Sequence, residues 1–399
     1  MLFKGYYFNT AILLMQAALC NAFTVQQQGA SKTFVASKLE AATSASLTSL
    51  LDETFVAPDT KEAGISEEAC AEAAAKMQRI NVPVPTSVSE SGSVGVSFIN
   101  WKPTVPKKGA LPLLLVHGFD SSCLEYRRLG PKLAEMGIDT YAVDLLGWGY
   151  TQLNDVKSFS AQAKVDALSS FWDVVGQGSD VCVGGASLGG AAAIEFSSSN
   201  PQVKACVLID AQGFVDGVGP MAQLPKFLAQ AGVKVLKSVP LRNSANNMSY
   251  YDKETFATDD ALKVGRLHCL REGWDEALVS FMLSGGFFPS EKVAKIESPT
   301  LILWGRQDTI LEIEFAQKFL DTLPDAQLKW VEECGHVPHL EQPDVTAEEI
   351  TSFLTSEKFQ STEKTNESTT DSVDGPILIA GSLAGAALIG TAATTLLTQ

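Results

Sequence analysis

The chain has 399 residues, 45% of them hydrophobic and 19% charged, which is ample to bury a core and excludes disorder of the chain as a whole. Forty-six acids against thirty Lys and Arg leave a net charge of −16, a field that repels phosphate backbones and argues against nucleic acid as a partner. Seven cysteines (Cys20, Cys70, Cys123, Cys182, Cys206, Cys269, Cys334) form no Cys-x-x-Cys pair and, with four histidines, offer no metal-ligand spacing, so they read as reduced and mostly buried.

Residues 1–22 read as a secretory signal peptide: Lys4 precedes an apolar run from Ala11 to Leu19, and small residues at Cys20 and Ala22 suit cleavage before Phe23. The run is too short to span a bilayer, which takes about 20 apolar residues. Residues 23–50 are rich in Ser, Thr and Ala and lack acids before Glu40, a transit-peptide composition. A signal peptide joined to such a segment at Ala22-Phe23 resembles the bipartite plastid presequences of algae with secondary plastids. Simple secretion with a disordered N-terminus is the alternative. Residues 51–91 are an N-terminal extension.

Residues 92–356 alternate short apolar runs with helical patterns, the signature of a mostly parallel sheet covered by helices on both faces. Strands are expected at Leu113–Val116, Asp139–Val143, Val181–Gly184, Ala205–Ile209, Thr300–Trp304 and Gln327–Val331, with an antiparallel leading strand at Val94–Trp101. Helices are expected near 124–136, 161–175, 188–198, 311–323 and 345–355. Some ninety residues separate Ile209 from Thr300 where a crossover needs about a dozen, so residues 212–296 are read as an inserted helical lid. From Gly217 to Tyr251 there is no acid, while Lys226, Lys234, Lys237 and Arg242 are interleaved with apolar residues. Such a lid either rests its basic face on an anionic membrane or is an ordinary solvated helix.

Residues 357–375 are a polar, acidic linker, the end of a region (341–374) holding nine acids and two lysines. Residues 376–397 are uncharged, and twenty-two residues at about 1.5 Å each would span a hydrocarbon layer of about 30 Å, so a C-terminal transmembrane helix and a membrane partner are expected. A cleaved lipid-anchor signal is the alternative.

Chemistry concentrates at strand ends. Gly185-Ala186-Ser187-Leu188-Gly189 fits Gly-x-Ser-x-Gly between an apolar strand and a small-residue helix. A turn that tight requires nearly side-chain-free flanks and lifts the Ser187 hydroxyl above the sheet at a helix N-terminus, where the Leu188 N–H can meet developing negative charge. A second donor is expected from the loop after Leu113–Val116, at the Phe119 N–H. A hydroxyl needs a base, and the base needs an acid to fix its tautomer. His336 follows the last expected strand and Asp308 follows the strand Thr300–Trp304, giving the order Ser, Asp, His with each residue in a strand's C-terminal loop. Asp210 is the reserve acid. His117 reads as a structural residue of the oxyanion loop, His339 as a helix-start residue and His268 as lid packing. Serine rather than aspartate at 187 argues against epoxide hydrolase or dehalogenase chemistry.

With these residues in register, the chain resembles the α/β-hydrolase superfamily over roughly Gly92 to Ser356. Within it, the segments 117–125 (HGFDSSCLE), 144–149 (DLLGWG) and 266–270 (RLHCL) look like those of plastid α/β-hydrolases of plants and algae. The resemblance implies an α/β-hydrolase fold with a lid. The expected function is a serine hydrolase of a lipophilic carboxylic ester in a plastid membrane, acting without a cofactor or metal on a small-molecule substrate. Alternatives are an aminopeptidase, thioesterase or lyase with the same triad, or a non-catalytic tethered binding protein; the secretory pathway or another cell membrane is the alternative location.

Overall fold

The computed structural model describes residues 47–356. Its centre is an eight-stranded sheet: β1 (Gln78–Pro83), β2 (Ser93–Trp101), β3 (Leu113–Val116), β4 (Thr140–Val143), β5 (Val181–Ala186), β6 (Val203–Ile209), β7 (Thr300–Gly305) and β8 (Ala326–Val331), in the spatial order β1-β2-β4-β3-β5-β6-β7-β8. β2 runs antiparallel to both β1 and β4, and every later pairing is parallel.

The apolar runs are strands because alternate side chains enter two separate cores. Leu114 and Val116 of β3 join one buried cluster, and Leu113 and Leu115 join the other. Helices cover both faces, which is why neither set of side chains is polar. On the first face lie α3 (Ala161–Val175), whose Phe171 and Trp172 are buried, and α4 (Leu188–Ser197), whose Ala191, Ala192 and Ala193 let it sit close on the sheet. On the other lie α1 (Glu68–Ala75), α2 (Leu129–Glu135) and α10 (Pro343–Leu354), contributing Cys70, Leu129, Leu133, Ala347 and Ile350. Each such aliphatic side chain contributes about 1.5–3 kcal/mol on full burial. Between β6 and β7 stand α5 (Lys226–Leu236), α6 (Val239–Ser249), α7 (Asp259–Leu267) and α8 (Trp274–Leu283); α9 (Glu314–Thr322) follows β7.

The structure departs from expectation at several points. β1 is an additional edge strand, although Ile80 and Val82 alternate with polar residues up to a terminal Pro83, the pattern of a half-buried edge. The single helix expected near 124–136 is broken into a 3₁₀ turn, Cys123–Tyr126, and α2. Pro131 has no N–H to donate and so must fall within the first turn of a helix, which places the start of α2 near Leu129.

The transmembrane element of the expected fold class is corrected: among the described residues no helix is long and apolar enough to cross a membrane, and the fold they form is the mostly parallel sheet covered by helices on both faces. The stretch 376–397 that carried the expectation lies outside the described residues, as do the signal peptide at 1–22, most of segment 23–50 and the linker at 357–375.

The four lid cations do not share one outward face. Lys226 and Lys234 are exposed on α5, Lys237 approaches the Trp274 ring at 5.7 Å, and Arg242 turns inward to an ion pair with buried Asp120. The described cysteines (Cys70, Cys123, Cys182, Cys206, Cys269, Cys334) are free and buried, and burial pushes the Cys70 thiol up to about 11 and that of Cys206 to about 12.

Candidate active site

Ser187 occupies the turn between β5 and α4 with φ 52° and ψ −122°, a conformation that L residues rarely adopt. Backbone surrounds it too closely to allow side chains at its flanks. A Cβ on Gly185 would lie 2.1 Å from the Gly189 carbonyl oxygen, and one on Gly189 would lie 2.1 Å from the Val116 carbonyl oxygen. The turn is held by the Ser187 N–H donating to the Ile209 carbonyl at 3.0 Å. The Ser187 carbonyl in turn accepts the N–H groups of Gly190 at 2.9 Å and Gln212 at 2.8 Å. Ser187 therefore heads α4, whose free N–H groups point toward the same end of the sheet.

His336 and Asp308 come from the loops after β8 and β7 and meet there. His336 Nδ1 lies 2.8 Å from Asp308 Oδ2, while Asp308 Oδ1 accepts the N–H groups of Ile310 at 2.7 Å and Leu311 at 3.2 Å. Burial raises the pKa of Asp308, but the His336 ring and the two backbone donors outweigh it and hold the carboxyl below its ordinary value. With Nδ1 committed to an ionised carboxylate, Nε2 is the nitrogen left to accept a proton.

Asp210, the reserve acid, stands behind this pair. Its Oδ1 accepts the Gly305 N–H at 3.0 Å and its Oδ2 is buried without a hydrogen-bond partner, so neither oxygen bonds the His336 ring. Burial, reinforced by the Asp308 charge, pushes its pKa well above the ordinary range and so favours its neutral form beside an ionised Asp308. Ligand atoms of Asp210, Asp308 and His336 lie within 4.8 Å of one another and are the one group among the described residues with metal-site proximity. Both Asp308 oxygens and His336 Nδ1 are already committed to each other and to the backbone, so the trio fits proton handling better than ion binding.

Phe119, whose N–H is the second donor expected from the sequence, lies in the loop after β3. His117 Nε2 accepts the Leu145 N–H at 3.1 Å, so Nδ1 bears the proton and donates to the Gly118 carbonyl at 2.8 Å. Burial lowers the His117 pKa and keeps the ring neutral in this structural role. The Gly118 N–H donates to Glu125 Oε2 at 3.1 Å, and the other Glu125 oxygen lies 2.9 Å from His339 Nε2. The Phe119 ring packs edge-on against Trp148 at 5.4 Å. Asp120 has φ 48°, and its Oδ1 meets His268 Nε2 at 2.9 Å and the Trp274 indole N–H at 2.7 Å. Burial alone would raise its pKa, but Arg242 and these donors outweigh it and hold Asp120 far below the carboxylate range. His268 is thus a hydrogen-bonding partner of the oxyanion loop rather than lid packing alone. His339 is buried inside the short helix Pro338–Glu341.

A cavity of about 310 Å³ is lined by Phe119, Ser187, Leu188 and His336, with Val218, Met221, Val264 and Leu340 among its apolar residues. A more open groove of about 450 Å³ beyond Asp308 contains neither Ser187 nor His336. Three further carboxylates surround the site without a role in the sequence reading: Asp120 and Glu341, both buried, and Glu125, nearly so. For Asp120 and Glu125 a signal existed: acids inside the short segment 117–125, which must pack beneath the lid. Glu341 had none, since beside the nearby Gly335 N–H its partners are the N–H groups of Tyr251 and Asp252, 90 and 89 residues away.

A sheet of this order, with a serine at a strained turn after β5 and loops converging at the strand ends, defines the class of α/β hydrolases. The chain belongs to the α/β hydrolase family: that family's profile matches residues 113–349. It is 37% identical over 290 residues to the Alpha/beta hydrolase domain-containing protein VTE7 of Arabidopsis thaliana, covering 72% of this chain and 87% of that one. It is 28% identical to Lipase 1 of Psychrobacter immobilis, over 61% of this chain and 76% of that one. Among solved structures it resembles a serine hydrolase involved in carbazole degradation, with a TM-score of 0.55 and 24% identity, covering 69% of this chain and 99% of that one, a likeness of fold. The protein is accordingly a hydrolase.

Proposed function

We propose that the protein is a serine hydrolase that cleaves a carboxylic ester of a lipophilic small molecule through an acyl-enzyme. The observation that carries this reading is that Ser187, at its strained turn, lines the same cavity as His336, whose Nδ1 is fixed 2.8 Å from Asp308. In this reaction Ser187 Oγ attacks the ester carbonyl carbon while His336 Nε2 takes its proton. The tetrahedral oxyanion is met by the N–H groups of Phe119 and Leu188. Collapse expels the alcohol, which receives the proton from His336, and water then repeats the sequence on the acyl-enzyme. Asp308 holds the imidazole in the required tautomer and stabilises its charged form. The lining by Val218, Met221, Val264 and Leu340 suits an apolar acyl or alcohol portion. The lipase relative's name points the same way. The location belonging to this reading is the plastid, on the strength of residues 1–50, and a reporter fused behind those residues tests it by its site of import.

Labelling of the purified full-length chain with a fluorophosphonate tests the reaction. The expected result is one adduct at Ser187, located by mass spectrometry, and turnover of esters that improves with the length of the alcohol. A chain left unlabelled while folded would overturn it.

A further inference from the structure

The lid helix α6 touches both halves of the catalytic arrangement. Near its first turn, Arg242 reaches the oxyanion loop, where its guanidinium pairs with the Asp120 carboxylate and donates to the Asp120 carbonyl at 3.3 Å. The same side chain donates to the carbonyls of Leu236 at 3.0 Å and Gly265 at 3.4 Å, so it also ties α6 to α5 and α7. At the other end, the Ser249 carbonyl accepts the His336 N–H at 2.8 Å, and the Met248 carbonyl accepts the hydroxyl of Thr309, next to Asp308, at 3.3 Å. Just beyond α6, the N–H groups of Tyr251 and Asp252 donate to the buried Glu341 carboxylate at 3.1 and 2.7 Å. Glu341 also accepts the N–H of Gly335, at 2.7 Å.

Core packing does not hold α6, since none of its residues is buried. These end contacts, together with the Asn246 side chain donating to the Thr258 carbonyl at 3.3 Å, hold it in place. The seven steps from Arg242 to Ser249 make about 10 Å of rigid helix, enough to bridge the two loops. Asp120 is the fixed point at the oxyanion end: buried, in the left-handed region, directly after Phe119, and accepting from three lid side chains, Arg242, His268 and Trp274.

We propose that Asp120 and Arg242 are positioning residues of the reaction, which through α6 set the oxyanion loop against the loops bearing His336 and Asp308. The inference deepens the reaction proposed above and rests on it for its kinetic consequence. The lid then acts as a strut, and the oxyanion donor aligns with the base only while the Asp120–Arg242 contact stands. Both residues also line the cavity, so a strut is told apart from a substrate contact by a loss that falls on kcat rather than on KM.

Full-length Arg242→Gln, Arg242→Lys and Asp120→Asn are compared with the parent on a short water-soluble ester, with Lys234→Gln as a surface control. Misplacement of reacting groups by about 1 Å costs on the order of 10²-fold in rate, so Arg242→Gln and Asp120→Asn should lower kcat by about 10- to 100-fold with KM within about threefold. Arg242→Lys should recover part of the loss, because an ammonium can pair with Asp120 but cannot serve three carbonyls as well. Should Asp120→Asn fail to fold, Arg242, whose side chain is partly exposed, still provides the test. Hydrogen exchange reads the coupling without any turnover: in Arg242→Gln the amides of residues 243–250 and of His336 should exchange faster than in the parent. An unlabelled, inactive parent would bring down the proposed reaction and leave this exchange result to stand. Unchanged exchange at His336, a kcat within twofold of the parent in folded Arg242→Gln, or a loss confined to KM would overturn the inference.

Discussion

Asp210 and Asp308 face one another at the ends of neighbouring strands with their acidities driven apart, the first toward its neutral form by burial and by the charge of the second, the second toward its ionised form by His336 and two backbone N–H groups. Two carboxylates therefore divide the work of one site. Only Asp308 bonds the imidazole, and only Asp210 is pushed toward its protonated form.

The division predicts unequal responses to the same change. Asp308→Asn should lower turnover by about 10⁴-fold, because an amide in place of the carboxylate favours the wrong His336 tautomer. Asp210→Asn mimics the neutral acid already present and should retain activity within about tenfold. Steady-state kinetics on one soluble ester decides it, and near-normal Asp308→Asn beside inactive Asp210→Asn would reverse the assignment.

A stability signature accompanies this. Below about pH 4 the Asp210 carboxyl is protonated in folded and unfolded chains alike. As pH rises, the unfolded chain releases that proton while the folded one keeps it, so the parent loses stability at up to about 1.4 kcal/mol per pH unit until the buried group itself ionises. The amide of the Asp210→Asn variant has no such proton to release. Urea denaturation of Asp210→Asn and the parent at pH 4.5 and pH 7 should show the variant gaining on the parent at the higher pH, and a gap independent of pH would count against a neutral Asp210. Asp308 acts in the opposite sense: its lowered pKa stabilises the fold above the unfolded value and that contribution is lost as pH falls.

Ser187→Ala and His336→Ala should each abolish ester hydrolysis, and the double variant should be no worse than either, because the two form one proton-transfer unit. Neither change empties the core, so far-ultraviolet circular dichroism should match the parent. Additive losses would mean that the two residues act separately.

How much of this was legible in the sequence depends on the range of the interaction that fixes each feature. The strands of the sheet were readable because local apolar runs suffice to bury both faces, and Ser187 was readable because its turn forces glycine at neighbouring positions. Asp308 and His336 followed from chain order. Arg242 was misread as part of an outward basic face, since its partner Asp120 lies 122 residues away and no local pattern encodes that pair. Glu341 went unnoticed for the same reason. β1 was passed over although its alternation was visible, within a region taken as an extension.

One substitution type should have opposite effects at two glycines. In α5, Gly232 has an ordinary helical backbone, and a Cβ there would meet nothing within 4 Å. Gly232→Ala should therefore stabilise the protein by about 0.5–1 kcal/mol, through reduced freedom of the unfolded chain and better helix propensity. At Gly189 the added Cβ would sit 2.1 Å from the Val116 carbonyl oxygen and 2.4 Å from that of His117. Those atoms are backbone of β3 and of the loop leading to Phe119, so no rotamer change relieves the clash, and either α4 lifts from the sheet or the oxyanion loop shifts. Gly189→Ala should lower stability by about 3 kcal/mol or more and remove activity in whatever fraction stays folded. Thermal unfolding and active-site labelling on the two variants separate these effects, and a stable, active Gly189→Ala would mean that the turn at Ser187 has more room than its backbone contacts allow.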